Sequence, residues 1–193
     1  DGVCNVCNNH KHQKSKIDWN KRAERFEELV KDFRGKGDYD CLVPFSGGKD
    51  STYVLYEIVV KHKLKPLVVS FDHGFFRDQH NKNIERTLKI LGTDHMVFKP
   101  NMKVVGKLML ESLKRKGDFC WHCHTGIFAY PMWIALEKKV PLIFWGENPG
   151  WQLGDMKTVG KNGYDGNNLR YMNTVAGGDL KWLLDAGLTK ENL

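Results

Sequence analysis

Residues 39–52 read YDCLVPFSGGKDST, and this stretch decides the fold. Its first part, residues 39–45, is a short apolar run that predicts a buried β-strand. Two adjacent glycines then let the backbone turn sharply and come close to a ligand. The apolar pattern of residues 51–62 predicts a helix after the turn. Because the first turn of a helix has free N–H groups and the positive end of the dipole, strand, loop and helix together predict an anion-binding site.

The loop carries the side chains that such a site needs. Ser46 and Ser51 supply hydroxyl donors, and Lys49 supplies a positive charge. Asp50 is out of place among anion ligands unless a cation bridges it, and Mg²⁺ bound to phosphate groups would form that bridge. The loop is not a Walker A motif, because that motif has four residues between its first Gly and its Gly-Lys pair.

Strands and helices alternate along the rest of the chain. A helix that Asp18 caps and Gly35 ends precedes the first strand. Further strands are predicted at residues 66–72, 95–98 and 141–145, and further helices at 78–91, 103–116 and 125–139. This order predicts an α/β fold with a doubly wound parallel sheet, which helices cover on both faces.

Composition limits the class of protein and its partners. Of the 193 residues, 41% are apolar and 27% charged, as is usual for a globular protein. The formal net charge of +7 favours an anionic partner such as a nucleotide, a nucleotide-sugar or a nucleic acid. No apolar run approaches the ~18 residues that span a bilayer, so no membrane partner is expected. With no signal peptide visible and cysteines in short paired spacings, we expect a cytoplasmic protein.

The chain divides into three parts. Residues 1–18 are polar and form a cysteine-containing segment, residues 19–146 form the α/β domain, and residues 147–193 hold a glycine-rich loop and the start of a C-terminal region. A loop as long as residues 146–179 is either a functional lid or a solvated connection. The sequence opens without Met and ends within a helical pattern, so we expect further residues on both sides.

The run SGGKDS closely resembles the PP-loop of the ATP pyrophosphatase (N-type) superfamily. In that superfamily the loop grips the β- and γ-phosphates of ATP, and the α-phosphate is attacked. The resemblance implies the doubly wound fold of these adenine nucleotide alpha hydrolase-like proteins, with ATP and Mg²⁺ as ligands. It implies nucleotide contacts from the loop residues Ser46, Gly47, Gly48, Lys49, Asp50 and Ser51.

Two other strand ends lie at the edge where open α/β sheets bind ligands. Phe71 and Asp72 end the second predicted strand, and the resemblance places adenine or ribose contacts there. Gly146 and Glu147 end the fourth, where Glu147 can bind Mg²⁺ or orient the substrate. His73 is expected to face the nucleotide. The alternative interpretation of each end is an ordinary turn.

Four of the five cysteines form two C-x-x-C pairs, Cys4 with Cys7 and Cys120 with Cys123. Each pair has the spacing of half a zinc site, and together they can close one tetrahedral Zn²⁺ site that pins the N-terminal segment to the domain. An iron–sulfur cluster on the second pair is the less favoured alternative, because it needs a third ligand. Cys41 is the local candidate, and it is predicted to be an inert core thiol. The first pair can also partner cysteines upstream of residue 1.

The stretches DGVCNVC, FCWHCHTGIFAYP and FWGENP, taken with the loop, resemble one branch of the superfamily. That branch is the N-acetyl sugar amidotransferases of bacterial lipopolysaccharide O-antigen and flagellin-glycan biosynthesis. The resemblance implies that the acetamido oxygen of a nucleotide-activated sugar is adenylylated and then replaced by ammonia to give an acetamidino group. Lys49, Asp50 and Glu147 are the implied catalytic residues. A separate glutaminase subunit and a cyclase-like subunit would supply the ammonia.

Two alternatives stay open. A PP-loop enzyme that thiolates or amidates a tRNA base uses the same adenylylation, and the positive charge and the cysteine pairs fit it. No RNA-binding module is recognisable, so nucleic acid is the less favoured partner. A non-catalytic nucleotide-binding subunit is the second alternative, and the intact Lys49 and Asp50 argue against it.

Overall fold

The computed structural model describes residues 2–147, 184–185 and 187–189. Most of the predicted glycine-rich loop and C-terminal region, residues 148–183, lies outside this part of the chain. The described elements, in order, are α1 (Asn5–Ser15), α2 (Trp19–Lys31), β1 (Cys41–Pro44), α3 (Lys49–Tyr56), a π-helical turn (Glu57–Lys61), β2 (Pro66–Phe71), α4 (Asp78–Leu91), β3 (Asp94–Phe98), α5 (Met102–Lys116) and α6 (Trp121–Glu137).

The three strands form a parallel sheet in the order β1-β2-β3. Val43 pairs with Val68, and Val69 with Met96. The predicted fourth strand is present only as a parallel bridge between Leu42 and Ile143. Leu42 N–H donates to Leu142 O (2.8 Å) and Leu42 O accepts from Phe144 N–H (2.9 Å). The next β1 residue facing that side is Pro44, which has no N–H to donate, so the ladder stops there.

Helices cover both faces of the sheet. Alternate strand residues point to opposite sides. On one face Cys41, Val43 and Val68 pack in a cluster with buried residues of α2, α3 and α4. On the other face Leu42, Leu67 and Val69 pack against α6 and the chain that follows it. The α/β class and the parallel sheet were therefore predicted correctly.

The ends of several helices follow the sequence signals. Asp18 caps α2 by accepting a hydrogen bond from Lys21 N–H (3.0 Å), as predicted. Gly92 ends α4 in the left-handed conformation. α6 begins at Trp121, four residues before the predicted start, and it contains Pro131.

The N-terminal segment forms a helix of its own. Every side chain of α1 that the structure describes is exposed, which agrees with a segment that has no apolar face to bury. Among the described residues, no helix is long and apolar enough to cross a bilayer.

Candidate functional site

The glycine loop connects the carboxyl end of β1 to the first turn of α3. Gly47 has a φ of 74°, in the left-handed region that favours glycine. Gly48 is the N-cap residue of α3 and is extended, and no side chain caps the helix. The N–H groups of the first turn therefore remain available, which is the arrangement that binds anions.

Gly47 also lies directly against α4. A β-carbon on Gly47 would sit 2.4 Å from Cγ1 of Ile84 and 3.2 Å from Nε2 of His80. Two independent constraints, the positive φ and the missing space, thus require glycine here.

The two serine hydroxyls organise the inside of the loop. Ser51 Oγ accepts from Ser46 N–H (3.3 Å) and lies 3.1 Å from Ser46 Oγ. Ser46 Oγ accepts from Gly48 N–H (3.3 Å). Ser51 is buried, so its hydroxyl bonds the loop from the side of the protein interior. Ser46 and Ser51, which were predicted to donate hydrogen bonds to phosphate, therefore form hydrogen bonds within the loop.

Lys49 and Asp50 stand at the outer side of the first turn of α3. Lys49 Nζ lies 2.5 Å from Asp50 Oδ1, and their side chains are 88% and 52% exposed. Neither lines the neighbouring cleft. A charge pair this exposed contributes little to stability, and both groups are free to turn toward a bound ligand.

An open cleft of about 90 Å³ lies beside the loop, at the carboxyl edge of the sheet. Five of the predicted site residues line it, namely Ser46, Ser51, Phe71, Gly146 and Glu147. The predicted His73 lines it too. The remaining lining is mostly apolar and aromatic: Pro44, Phe45, Phe76, Ile127, Phe128 and Trp145. The cleft therefore offers ring faces near the loop and a carboxylate at its border.

A glycine of α6 gives Phe71 its place in the cleft wall. A β-carbon on Gly126 would lie 2.3 Å from Cζ of the Phe71 ring. The ring also stacks on Phe98, with centroids 5.7 Å apart. Phe128 and Trp145, which also line the cleft, pack with their ring centroids 5.2 Å apart.

Asp72 lies just outside the cleft and holds a turn. Its Oδ1 accepts from Gly74 N–H (3.0 Å), and its Oδ2 lies 3.7 Å from Lys99 Nζ. These contacts belong to the strand-end turn that was the alternative interpretation. A nucleotide contact from Asp72 stays a prediction.

A buried serine and a partly buried histidine lie under the loop. Ser70 Oγ donates to Phe45 O (2.5 Å), and His95 Nε2 lies 2.7 Å from the same hydroxyl. Burial lowers the pKa of His95. Burial also lowers the pKa of His73, in spite of the nearby Asp72. Both rings are therefore predominantly neutral at neutral pH.

The two cysteine pairs are not brought together. Cys4 and Cys7 are exposed, and Cys120 and Cys123 are partly buried. In residues 2–147 and the short described pieces beyond, no three His, Cys, Asp or Glu side chains gather as a metal site would require. The described residues thus do not form the predicted four-cysteine site, and zinc stays a prediction.

The second pair lies beside the carboxylate of Asp118, which accepts a hydrogen bond from Cys120 N–H (2.8 Å). Burial, and next the neighbouring Cys120, raises the pKa of Cys123 to about 12. His122 is buried, and neither of its ring nitrogens is accessible to solvent. Burial lowers the pKa of His122, while the nearby backbone of His73 and Phe119 opposes the shift. Cys41 is fully buried in β1, and burial, with Asp40 second, raises its pKa to about 12, as expected of a core thiol.

Sequence reasoning missed His80. Its Nε2 lies 2.6 Å from Ser46 O, across 34 residues of chain. The helical pattern places His80 one turn before Ile84 on the buried side of α4, but nothing in the sequence shows that this side meets the glycine loop.

The chain is similar over part of its length to two known proteins. No family model matches the chain. Over 104 residues, 53% of this chain, it is 29% identical to an uncharacterized protein of Methanocaldococcus jannaschii, MJ1599, and this match spans 36% of that protein. The structure overlaps a crystal structure described as a predicted subunit of tRNA methyltransferase from the same species. The TM-score is 0.40 and the identity 22%, over 76% of this chain and 73% of the other.

Proposed function

We propose that this chain binds ATP with Mg²⁺ at the glycine loop and transfers AMP to a substrate oxygen, with release of pyrophosphate. The observation that carries the proposal is the uncapped first turn of α3, which opens beside a cleft at the carboxyl edge of the sheet. The proposed fold is the doubly wound PP-loop type, and the parallel sheet with helices on both faces supports it.

The parts of the site suit the parts of the nucleotide. The N–H groups of the loop and of α3 suit the β- and γ-phosphates, because they are fixed donors at the positive end of a helix. The aromatic cleft suits the adenine ring. Lys49 can turn inward to stabilise the leaving pyrophosphate, and Asp50 and Glu147 are the carboxylates that can hold Mg²⁺. The metal would offset the charge that develops on the phosphates.

For the acceptor we propose the acetamido oxygen of a nucleotide-activated N-acetyl sugar. An amide oxygen is a poor leaving group. Its attack on the α-phosphorus forms an O–P bond, breaks the bond to pyrophosphate and leaves an O-AMP imidate. Ammonia then attacks the imidate carbon, AMP leaves with the C–O bond electrons, and an amidine forms. The motif resemblance supports this acceptor, and with it a separate glutaminase and a cyclase-like subunit as the source of ammonia.

Pyrophosphate release tests the proposal directly. The purified chain is incubated with MgATP, a UDP-linked N-acetyl sugar and ammonium, and each component is omitted in turn. We expect release that depends on the sugar and AMP as the second product. Release that ignores the sugar would contradict the sugar as acceptor, and absence of any ATP binding would contradict the nucleotide site itself.

A tRNA base is the second candidate acceptor, and the net charge of +7 favours it. The last turn of α5 adds a local run of positive charge, Lys114, Arg115 and Lys116. Binding through such charges weakens steeply with salt. Pyrophosphate release that requires tRNA and falls between about 50 and 200 mM salt would favour this acceptor over the sugar.

Zinc at Cys4, Cys7, Cys120 and Cys123 remains part of the proposal, with no catalytic step assigned to it. Metal analysis of the purified protein beside a Cys120→Ser variant tests it. One zinc ion per chain that is lost in the variant would support the site, and a metal-free wild-type protein with full activity would contradict it.

A further inference from the structure

A side chain from α4 holds the backbone of the glycine loop. His80 Nε2 lies 2.6 Å from the carbonyl oxygen of Ser46. A carbonyl oxygen can only accept a hydrogen bond, so Nε2 carries the proton and donates it. The bond joins the first turn of α4 to the loop that precedes α3.

The His80 ring has little freedom to leave this position. It packs on Phe76, with ring centroids 4.6 Å apart. One and two turns further along α4, Ile84 and Leu88 are buried in the core. On the loop side, Nε2 occupies the space just beyond the absent β-carbon of Gly47. The donor is therefore preorganised by packing that does not depend on a ligand.

Fixing the Ser46 carbonyl also fixes the next N–H group. The described residues contain no cis peptide bond, and in a planar trans peptide the C=O and N–H groups point in opposite directions. With Ser46 O held toward α4, the N–H of Gly47 points away from α4. None of the acceptors in the described part of the chain takes a hydrogen bond from this N–H, which leaves it available to an anion.

The preceding peptide is held in a similar way. Ser70 Oγ donates to Phe45 O (2.5 Å). The Ser46 N–H, on the opposite side of that peptide, donates to Ser51 Oγ (3.3 Å). Two consecutive carbonyls are thus bonded by side chains from α4 and β2. Two N–H groups lie on the opposite sides of these peptides. That of Ser46 bonds inside the loop, and that of Gly47 has no acceptor among the described residues.

We propose that His80 is a positioning residue that turns the Ser46–Gly47 peptide so that the Gly47 N–H meets the phosphates of the bound nucleotide. The inference rests on the proposed function, which makes the anion the triphosphate of ATP. His80 itself does not contact the reacting atoms. Loss of its donor lets the peptide rotate and costs the site one oriented hydrogen bond to phosphate.

Three variants of the full chain separate this role from packing. His80→Phe keeps a ring against Phe76 and removes the donor. His80→Asn keeps an amide donor, but its side chain is too short to reach Ser46 O. His80→Gln keeps an amide N–H near the place of Nε2. Gln79→Ala is the matched control, because Gln79 lies on the same turn and bonds only Asn83 among the described residues.

Binding of MgATP, inorganic pyrophosphate and adenosine is measured by calorimetry for each protein. We expect His80→Phe and His80→Asn to bind MgATP and pyrophosphate about tenfold more weakly, with adenosine binding unchanged. His80→Gln and Gln79→Ala should stay within about twofold of the wild type. A rotated peptide affects the phosphates alone, whereas a damaged fold would weaken adenosine binding as well.

Several results would overturn the inference. Unchanged pyrophosphate binding in both loss variants would show that the bond to Ser46 O does not orient the loop. Equal losses for MgATP and adenosine, or a glutamine variant as weak as the phenylalanine variant, would assign His80 a packing role only. A wild-type protein that binds none of the three probes would refute the proposed function, and this inference with it. Should His80→Phe fail to fold, the asparagine and glutamine pair carries the same comparison.

Discussion

Gly146 lies so close to Ser51 that a β-carbon on Gly146 would sit 3.1 Å from both the backbone nitrogen and the Cα of Ser51. The chain that leaves the Ile143 bridge therefore passes directly over the first turn of α3. This contact sets Glu147 at the border of the cleft and beside the glycine loop. The chain after the Ile143 bridge and the loop after β1 are thereby brought to one place.

Gly146→Ala should disturb the first turn of α3. Gly146 does not have a positive φ, so the effect is steric, and the group that must yield is backbone rather than a flexible side chain. We expect a loss of about 1 kcal/mol in the free energy of unfolding and about fivefold weaker MgATP binding. Urea denaturation and calorimetry measure the two effects.

Gly106→Ala is the control for that substitution. A β-carbon at Gly106, inside α5, would meet nothing within 4 Å, so the change should stabilise the protein by about 0.5–1 kcal/mol through helix propensity. Equal behaviour of the two alanine variants would contradict the close contact at Gly146.

The sequence predicted the local elements well and the long-range contacts poorly. The bounds of α4, 78–91, match the prediction, because its apolar period and the glycine after it are local signals. The fourth strand shrank to a bridge at Ile143, because its neighbour β1 presents Pro44 instead of a donor. The bond from His80 to Ser46 O crosses 34 residues, and no pattern along the chain encodes such a meeting.

Within the site, too, local features were predicted and contacts between distant segments were not. Ser46 and Ser51 were predicted from the glycine loop, and Phe71, Gly146 and Glu147 from two other strand ends. They line one cleft because parallel strands end at one edge. Phe128 and Trp145 were not predicted, since an aromatic residue in a helix or strand gives no sign of facing a cleft instead of the core. The pairing of Cys4 and Cys7 with Cys120 and Cys123 rested on spacing alone, and spacing does not specify distance between segments.

Gly126→Ala should displace the Phe71 ring. The added β-carbon would overlap the ring, whose nearest carbon lies 2.3 Å from its position. We expect destabilisation by about 1–3 kcal/mol, since overpacking outweighs the gain of about 1 kcal/mol in helix propensity. Nucleotide binding should weaken because Phe71 lines the cleft. A variant with raised stability and unchanged adenosine binding would show that the ring moves aside at no cost.

Asp40 should be a strong determinant of stability. Its buried carboxylate accepts from Gly35 N–H (2.6 Å) and from Lys65 N–H (2.7 Å). Asp40→Ala removes both acceptors, and we expect a loss of about 3 kcal/mol in the free energy of unfolding. Asp38→Ala, at an exposed position two residues earlier, should change it by less than about 0.5 kcal/mol. Similar urea midpoints for the two variants would contradict the role assigned to Asp40.

His95 should make the stability fall in mild acid. Burial lowers its pKa in the folded state below the ordinary 6.5, so the unfolded chain takes up the proton first as pH falls. The contribution is fully present above the unfolded pKa and is lost as pH falls toward the folded one. His95→Gln removes the titration and keeps a donor for Ser70. Urea midpoints at pH 7.5 and 5.5 should differ less in the variant than in the wild type. In the variant, the urea midpoint should still depend on pH to some degree, because burial lowers the pKa of His73 as well.

Lys49→Ala distinguishes a catalyst from a nucleotide-binding scaffold. Lys49 is 88% exposed and pairs only with Asp50 among the described residues, so its removal should change the free energy of unfolding by less than about 0.5 kcal/mol. If Lys49 turns inward to the departing pyrophosphate, it acts mainly in the transition state. The rate of pyrophosphate release should then fall at least about 100-fold, while MgATP binding weakens much less.

Lys65→Ala, which alters an equally charged residue at the opposite edge of the sheet, should keep full activity. Full activity in Lys49→Ala would instead support the non-catalytic alternative, because no other lysine of the loop could take over its charge.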